Sequence, residues 1–293
     1  MNCGFPFSRP GPLLLVFLAI VAGAPGRGGW AADEKERILA FAAGNDLAMF
    51  VGKWDPAHGG WVQADDFFEP PAPGSPVTLY GTQGRIADVR IAEPYRAPPW
   101  GVPRGWNAAI STWTRSTDAF ALAVLDRPSV EARPSRPVAL DDPAARKIVS
   151  DYLRGRGLDV PRPELTQAYR ADLLGDGKTE ELLCAHSDES ALRDDQPAAI
   201  YAVALLRAGA PGREQTFALA SVTSYKPADE SIADHRRYFG HRPFFRWLAF
   251  VDVNGDGREE IALYRAEPER TGVRLFTWNG RKAEAVLCNY LNF

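Results

Sequence analysis

Internal repetition of strand-like segments is the feature that most constrains the fold of this chain. The segment Val77–Val89 aligns without gaps on Val273–Ala285, and valine, leucine, an aromatic residue, Gly-Arg, alanine and an acidic residue coincide. Each copy predicts a strand, a tight turn and a second strand, and Asn279-Gly280 favours a two-residue hairpin turn. A looser copy covers Ile200–Val222, with its turn around Gly209–Gly212.

A second element, rich in acidic residues, also occurs twice. Asp172–Glu180 resembles Asp252–Glu260, and each copy lies between two apolar, strand-like runs. The last unit of the chain therefore predicts strand, acidic loop, strand, link, strand, turn and strand. Four antiparallel strands in succession are the composition of a propeller blade.

The remaining segments add one or two short helices to these strands. Asp142 followed by Pro143 predicts an acidic cap and a first turn for a helix over Ala144–Arg154, and Glu34–Ala43 is a candidate second helix. Ala108–Thr114 and Ala119–Leu125 predict a further hairpin. The fold class predicted is mainly β, built from antiparallel four-stranded repeat units that are β-propeller-like, incomplete or few-bladed, with one or two short helices.

The beginning of the chain predicts an export signal. The apolar run Leu13–Ala24 is short for a membrane span but typical of a signal-peptide core, with cleavage expected near Ala31; an uncleaved anchor is the alternative. We expect a signal peptide over 1–31, N-terminal β repeats rich in tryptophan and proline over 32–137, and a helix with two β repeats over 138–293. The predicted location is secreted, periplasmic or on the cell surface.

Charge and cysteine content restrict the partners and the covalent links. The signal segment carries two arginines and no acid, so its removal changes the formal net charge from −3 to −5. An acidic chain without a Lys/Arg cluster is a poor nucleic-acid binder, and the absence of a second long apolar run predicts no stable membrane span after signal removal. Cys184 and Cys288 either form a disulfide or pack as free thiols.

The second acidic segment has the spacing of a calcium loop. Calcium needs about six to eight oxygen ligands on a backbone that curls around it. Asp252, Asn254 and Asp256 occupy positions 1, 3 and 5, the carbonyl of Arg258 can point inward, and Glu260 at position 9 can close the shell.

The first acidic segment retains fewer of these ligands. Asp172, Asp176, Glu180 and the carbonyl of Lys178 remain, whereas Leu174 takes the third position. For both segments the alternative is a metal-free turn in which aspartates accept backbone N–H bonds.

An EF-hand is excluded, because Leu263 stands at position 12 and the flanking runs are strand-like. The Asp252–Ile261 segment instead resembles the FG-GAP calcium loops of integrin α-subunit propellers and the VCBS-type repeats of secreted bacterial proteins. The resemblance implies propeller blades, structural calcium, an extracellular location and, often, adhesion or ligand binding.

Catalytic motifs are not recognised in the sequence. There is no Gly-x-Ser-x-Gly elbow, no phosphate-binding glycine loop and no complete set of zinc ligands around the histidines. We therefore expect an exported, non-enzymatic binding or surface-interaction protein with an unidentified protein or carbohydrate ligand. The alternative is a secreted hydrolase of glycans or esters, whose cleft would be lined by tryptophans of the N-terminal half: Trp54, Trp61, Trp100, Trp106 and Trp113.

Overall fold

The computed structural model describes residues 37–43, 47–64, 69–97, 105–110, 120–125, 132–187, 198–210, 212–226, 243–267 and 270–292. The predicted signal peptide lies outside these residues. The described chain is mainly β, with antiparallel sheets and one α-helix, which confirms the predicted fold class. None of its helices is both long enough and apolar enough to cross a membrane.

Seven strands form the N-terminal sheet, in the order β1-β7-β4-β5-β6-β2-β3. Their bounds are β1 Arg37–Ala43, β2 Leu47–Asp55, β3 Gly60–Gln63, β4 Pro76–Gly81, β5 Gly84–Ala97, β6 Gly105–Ile110 and β7 Phe120–Leu125. Strand β1 pairs with β2 as well as with β7. The strand order departs from the chain order because the β4–β5 hairpin lies between β7 and β6.

Five strands form the middle sheet, and they follow one another in chain order. Their bounds are β8 Arg136–Pro137, β9 Leu165–Ala171, β10 Glu180–His186, β11 Ala198–Ala208 and β12 Gln215–Lys226. The helix α1, Pro143–Arg154, lies between β8 and β9 in the chain, and its first turn is capped by the Asp142 carboxylate as predicted. The buried face of α1 packs on this sheet through Ala145, Val149 and Leu153.

The C-terminal sheet is a four-stranded meander in chain order, as the repeat pattern predicts. Its strands are β13 Phe244–Val251, β14 Glu260–Glu267, β15 Arg270–Trp278 and β16 Ala283–Asn292. The β15–β16 turn differs in one detail from the two-residue prediction at Asn279-Gly280. Asn279 and Lys282 hydrogen-bond to each other across the turn, so Gly280 and Arg281 are its central residues.

Two predictions about local structure are wrong. Residues of the predicted helix Glu34–Ala43 form strand β1 from Arg37 onward, because pairing with two neighbouring strands outweighs their helical propensity. The segments of the predicted Ala108–Thr114/Ala119–Leu125 hairpin belong to β6 and β7, which pair with other strands rather than with each other. By contrast, the hairpins at Val77 and Ile200 are confirmed as β4–β5 and β11–β12.

The C-terminal sheet is buried on both faces. Alternate residues such as Leu248 and Val273 pack against the N-terminal sheet, whereas Phe250 and Leu263 pack against the middle sheet. A strand covered on both faces needs apolar residues at successive positions, which explains the nearly continuous apolar sequence of β13. The C-terminal sheet is therefore the layer through which the other two share a core.

Candidate functional site

The two acidic segments connect the paired strands of two hairpins, as predicted. The first acidic loop, residues 172–180, joins β9 to β10, and the second acidic loop, residues 252–260, joins β13 to β14. Both flanks of each loop are strands, which fits the strand–loop–strand arrangement expected from the sequence and excludes helix–loop–helix geometry.

The first aspartate of each loop holds the loop closed in the same way. Asp252 Oδ2 accepts the N–H of Gly257 at 2.9 Å, and Asp172 Oδ2 accepts the N–H of Gly177 at 3.0 Å. The two glycines have φ of 84° and 82°, a left-handed conformation that glycine adopts without a steric penalty. The residues that are equivalent in sequence at these positions therefore also make the same hydrogen bond.

The fifth position also matches between the loops. Asp256 Oδ1 accepts the N–H of Arg258 at 2.8 Å, and Asp176 Oδ1 accepts the N–H of Lys178 at 2.9 Å. The bond from the Lys178 N–H, together with the exposed Lys178 ammonium, lowers the pKa of Asp176.

The third position is where the loops differ. Asn254 Oδ1 accepts the N–H of Asp256 at 2.9 Å, but Leu174 has no oxygen to offer. In the first loop the N–H of Asp176 donates to Asp172 Oδ1 instead, at 3.1 Å. The first aspartate therefore takes over the hydrogen bond that the third residue cannot make.

The glutamate at position 9 is buried in both loops. Glu260 Oε2 accepts the N–H of Val253 at 2.7 Å, and Glu180 Oε2 accepts the N–H of Leu173 at 3.0 Å. Burial raises the pKa of Glu260 to about 8, and burial also raises the pKa of Glu180. Each glutamate thus links the end of its loop to the beginning.

Arg133 bridges the two loops. Its Nη1 donates to the carbonyl of Asp172 at 3.0 Å, its Nη2 donates to that of Gly257 at 2.6 Å, and its backbone N–H donates to Glu259 Oε1. A direct backbone bond, from Glu259 N to Leu173 O at 2.8 Å, runs beside it. The two loops are consequently one hydrogen-bonded unit.

A second arginine joins the N-terminal sheet to this unit. Arg37, at the start of β1, donates from Nη1 to the carbonyl of Val253. Its guanidinium lies so close to Gly255 that a Cβ there would stand 3.0 Å from Nη2. Residues from all three sheets or their connections therefore meet at the acidic loops.

Sequence reasoning missed three members of this unit: Arg37, Arg133 and Glu259. Glu259 is 1% exposed, and burial raises its pKa to about 7. The only sequence signal was the pair Glu259-Glu260 at a predicted strand start, where alternation points the two side chains to opposite sides. The arginines carry no local signal, because their partners are distant in the chain.

The side-chain oxygens at positions 1, 3 and 5 of the second loop accept backbone N–H bonds, as the metal-free alternative predicts. Asp252, Asn254 and Asp256 lie on one tight loop and retain lone pairs beyond those used by backbone N–H groups, so these residues fit a calcium ion. Glu260 is turned toward the Val253 amide. No group of three or more His, Cys, Asp or Glu side chains in the described part of the chain converges as a metal site. Calcium binding by either loop stays a prediction.

Two other sequence features have structural outcomes. Trp54 and Trp61 pack edge-to-face across β2 and β3, with ring centroids 5.1 Å apart, while the side chains of Trp100, Trp106 and Trp113 lie outside the described residues. Cys184 and Cys288 are not joined by a disulfide, which answers the question that the sequence left open.

Comparison of the chain with protein-family models gave no match, and comparisons with curated proteins and with solved structures gave none either.

Proposed function

We propose that this chain is an exported, non-enzymatic binding or surface-interaction protein in which the second acidic loop holds one structural calcium ion. The proposal follows the resemblance of Asp252–Ile261 to FG-GAP and VCBS-type loops. The observation that carries it is the placement of Asp252, Asn254 and Asp256 on a tight loop between two strands, at the point where the sheets are joined.

A calcium ion at this place stabilises more than its own loop. Arg37 ties the N-terminal sheet to the second loop, and Arg133 ties the second loop to the first. Ordering the second loop therefore also orders the contacts between sheets. A weak site of this type is filled only where free calcium exceeds its Kd, so its contribution depends on the calcium concentration around the protein.

The size of the effect follows from linkage. Extracellular calcium modules bind with Kd of about 10⁻⁴–10⁻³ M. At 10 mM calcium such a site stabilises the folded chain by about 1.4–2.7 kcal/mol. For a chain of this length, that corresponds to a rise of about 3–10 °C in the melting temperature.

The test is calorimetry on the mature chain, residues 32–293, first freed of metal with a chelator. We expect one calcium ion to bind and to raise the melting temperature, with magnesium having a smaller effect because it requires a nearly ideal octahedron. Absence of both calcium heat and a calcium-dependent melting shift in the native sequence would contradict the proposal.

The third position supplies matched variants. Asn254→Leu gives the second loop the residue found in the first, and it should abolish the calcium-dependent shift while costing about 1 kcal/mol with or without calcium from the lost hydrogen bond. Leu174→Asn is the reciprocal change and should strengthen calcium binding at the first loop, which retains Asp172, Asp176, Lys178 and Glu180. If Asn254→Leu keeps the full calcium shift, the ion lies elsewhere.

A further inference from the structure

A cavity of about 220 Å³ lies where the first residues of β13 face the middle sheet. It lies at the start of β13, which is the opposite end of that strand from the second acidic loop. The residues that line it are Thr166, Gln167, His186, Phe244, Phe245 and Arg246.

Arg246 supplies the positive charge of this cavity. Its side chain is half-buried, and within the described part of the chain it forms no ion pair with a carboxylate. Its one ring contact is with Phe120, whose centroid lies 5.4 Å from the guanidinium carbon. A cation–π contact offers about 0.5–2 kcal/mol and leaves the five N–H donors of the guanidinium without a charged acceptor.

The edge of β13 adds backbone groups to the same cavity. The Gln167 amide caps one position of this edge, accepting from Trp247 N at 2.7 Å and donating to Trp247 O at 3.3 Å. Residues two apart in a strand direct their N–H and C=O groups to the same side. The backbone N–H of Phe245 therefore points to the cavity side, next to Arg246.

The other polar groups of the cavity are already oriented toward protein atoms. Thr166 Oγ1 donates to the carbonyl of Cys184 at 3.3 Å. His186 Nδ1 is 3.2 Å from the carbonyl of Ser187, which can only accept, so this nitrogen carries the proton. None of the described residues that line the cavity is an aspartate or a glutamate, and Arg246 among them carries a positive charge.

The remaining wall is apolar. The ring of Phe244 is half-buried and lies 5.5 Å from that of Tyr264, whereas the ring of Phe245 is buried in the core shared with the middle sheet. The volume corresponds to about seven water molecules at about 30 Å³ each, which suits a ligand of roughly ten non-hydrogen atoms. A cation beside aromatic rings matches a ligand with one anionic group and an apolar body.

We propose that this cavity binds a small organic carboxylate, with Arg246 and the Phe245 N–H on its carboxylate oxygens and the ring of Phe244 against its apolar part. The planar guanidinium fork matches the two oxygens of a carboxylate. The site gives a ligand class to the binding role proposed above, on which it rests, but it does not involve the calcium loop.

The test uses the mature chain and benzoate as the probe, followed by titration calorimetry and by amide chemical shifts of Phe245 and Arg246. We expect saturable binding with Kd in the millimolar range or tighter. Benzamide, which has the same shape without the charge, should bind at least 10-fold more weakly, and inorganic phosphate, which has the charge without the apolar body, should do the same. This comparison needs no variant and therefore does not depend on the folding of one.

Variants then locate the site. Arg246→Gln should weaken benzoate binding at least 10-fold and Arg246→Lys by less, whereas Arg213→Gln, which removes an exposed arginine and the same charge, should leave it unchanged. Absence of saturable benzoate binding, equal binding of benzamide, or full binding by a folded Arg246→Gln variant would each overturn the proposal. None of these results changes the outcome expected in the calcium test, so the carboxylate proposal and the calcium proposal can be refuted independently.

Discussion

Replacing Arg133 by methionine should weaken the junction between the two acidic loops. Methionine keeps an unbranched aliphatic stem and the backbone N–H that donates to Glu259, but it removes the guanidinium that lies against Gly175. It removes the two bonds from the guanidinium to the carbonyls of Asp172 and Gly257, at 3.0 and 2.6 Å. Burial raises the pKa of Glu259 to about 7, and the substitution also removes the positive charge of Arg133 that partly offsets this rise.

Hydrogen bonds from a charged group each stabilise by about 1.5–3 kcal/mol, and Arg133 is only half-buried, so we expect a combined loss of about 2–4 kcal/mol. Urea unfolding of the mature chain in chelator, followed by circular dichroism, measures it as a fall of about 1 M in the midpoint. The matched control is Arg162→Met, at an exposed arginine, which should change stability by less than about 0.5 kcal/mol. Equal midpoints for the two variants would refute the role given to Arg133 in joining the loops.

Three further measurements address pH, the core and the helix cap. Burial raises the pKa of Glu260 to about 8, so the folded state holds a proton that the unfolded state releases near pH 4.5. The stability of the metal-free chain should therefore fall as pH rises from about 5 to 8. Urea midpoints measured across this range should fall less for Glu260→Gln than for the native sequence. Ile261→Ala, at a site buried between two sheets, should cost about 2–5 kcal/mol in the same assay, against less than about 1 kcal/mol for Ile86→Ala, which is 46% exposed. Asp142→Ala loses bonds to two amide groups and should lower stability by about 1 kcal/mol, whereas Asp141→Ala next to it should be nearly neutral by thermal unfolding.

The elements that sequence reasoning placed correctly are those specified by neighbouring residues. Turn residues, alternating apolar positions and the 1-3-5 spacing of oxygens all act over about ten residues, so the hairpin at Val273 and the loop at Asp252 could be read directly. The cap at Asp142 belongs to the same class, because its acceptors are two amides of the following turn.

What could not be read depends on residues far apart in the chain. Strand β1 has a helical composition, but it is held between β2 and β7, and the latter pairing reaches from Ile38 to Leu125. The order of the N-terminal sheet likewise follows from which distant edges meet. Arg133 and Glu259 are 126 positions apart, and no local pattern indicates their contact.

The two loops differ at position 3, where the first has Leu174 and the second has Asn254, and Leu174 has a packing role that an asparagine would lose. Leu174 packs on the core shared by the middle and C-terminal sheets, and its Cδ1 lies beside Gly280 in the β15–β16 turn, where a Cβ would stand at 3.3 Å. An asparagine at this position would give up that apolar contact between sheets, whereas the Asn254 side chain accepts the N–H of Asp256 within its own loop. The first loop is therefore held mainly by the packing of Leu174 and by its bond to Arg133, whereas the second loop has a side-chain oxygen at each of positions 1, 3 and 5. On this basis Leu174→Asn should lower the stability of the metal-free chain, even as it supplies the oxygen that the first loop lacks.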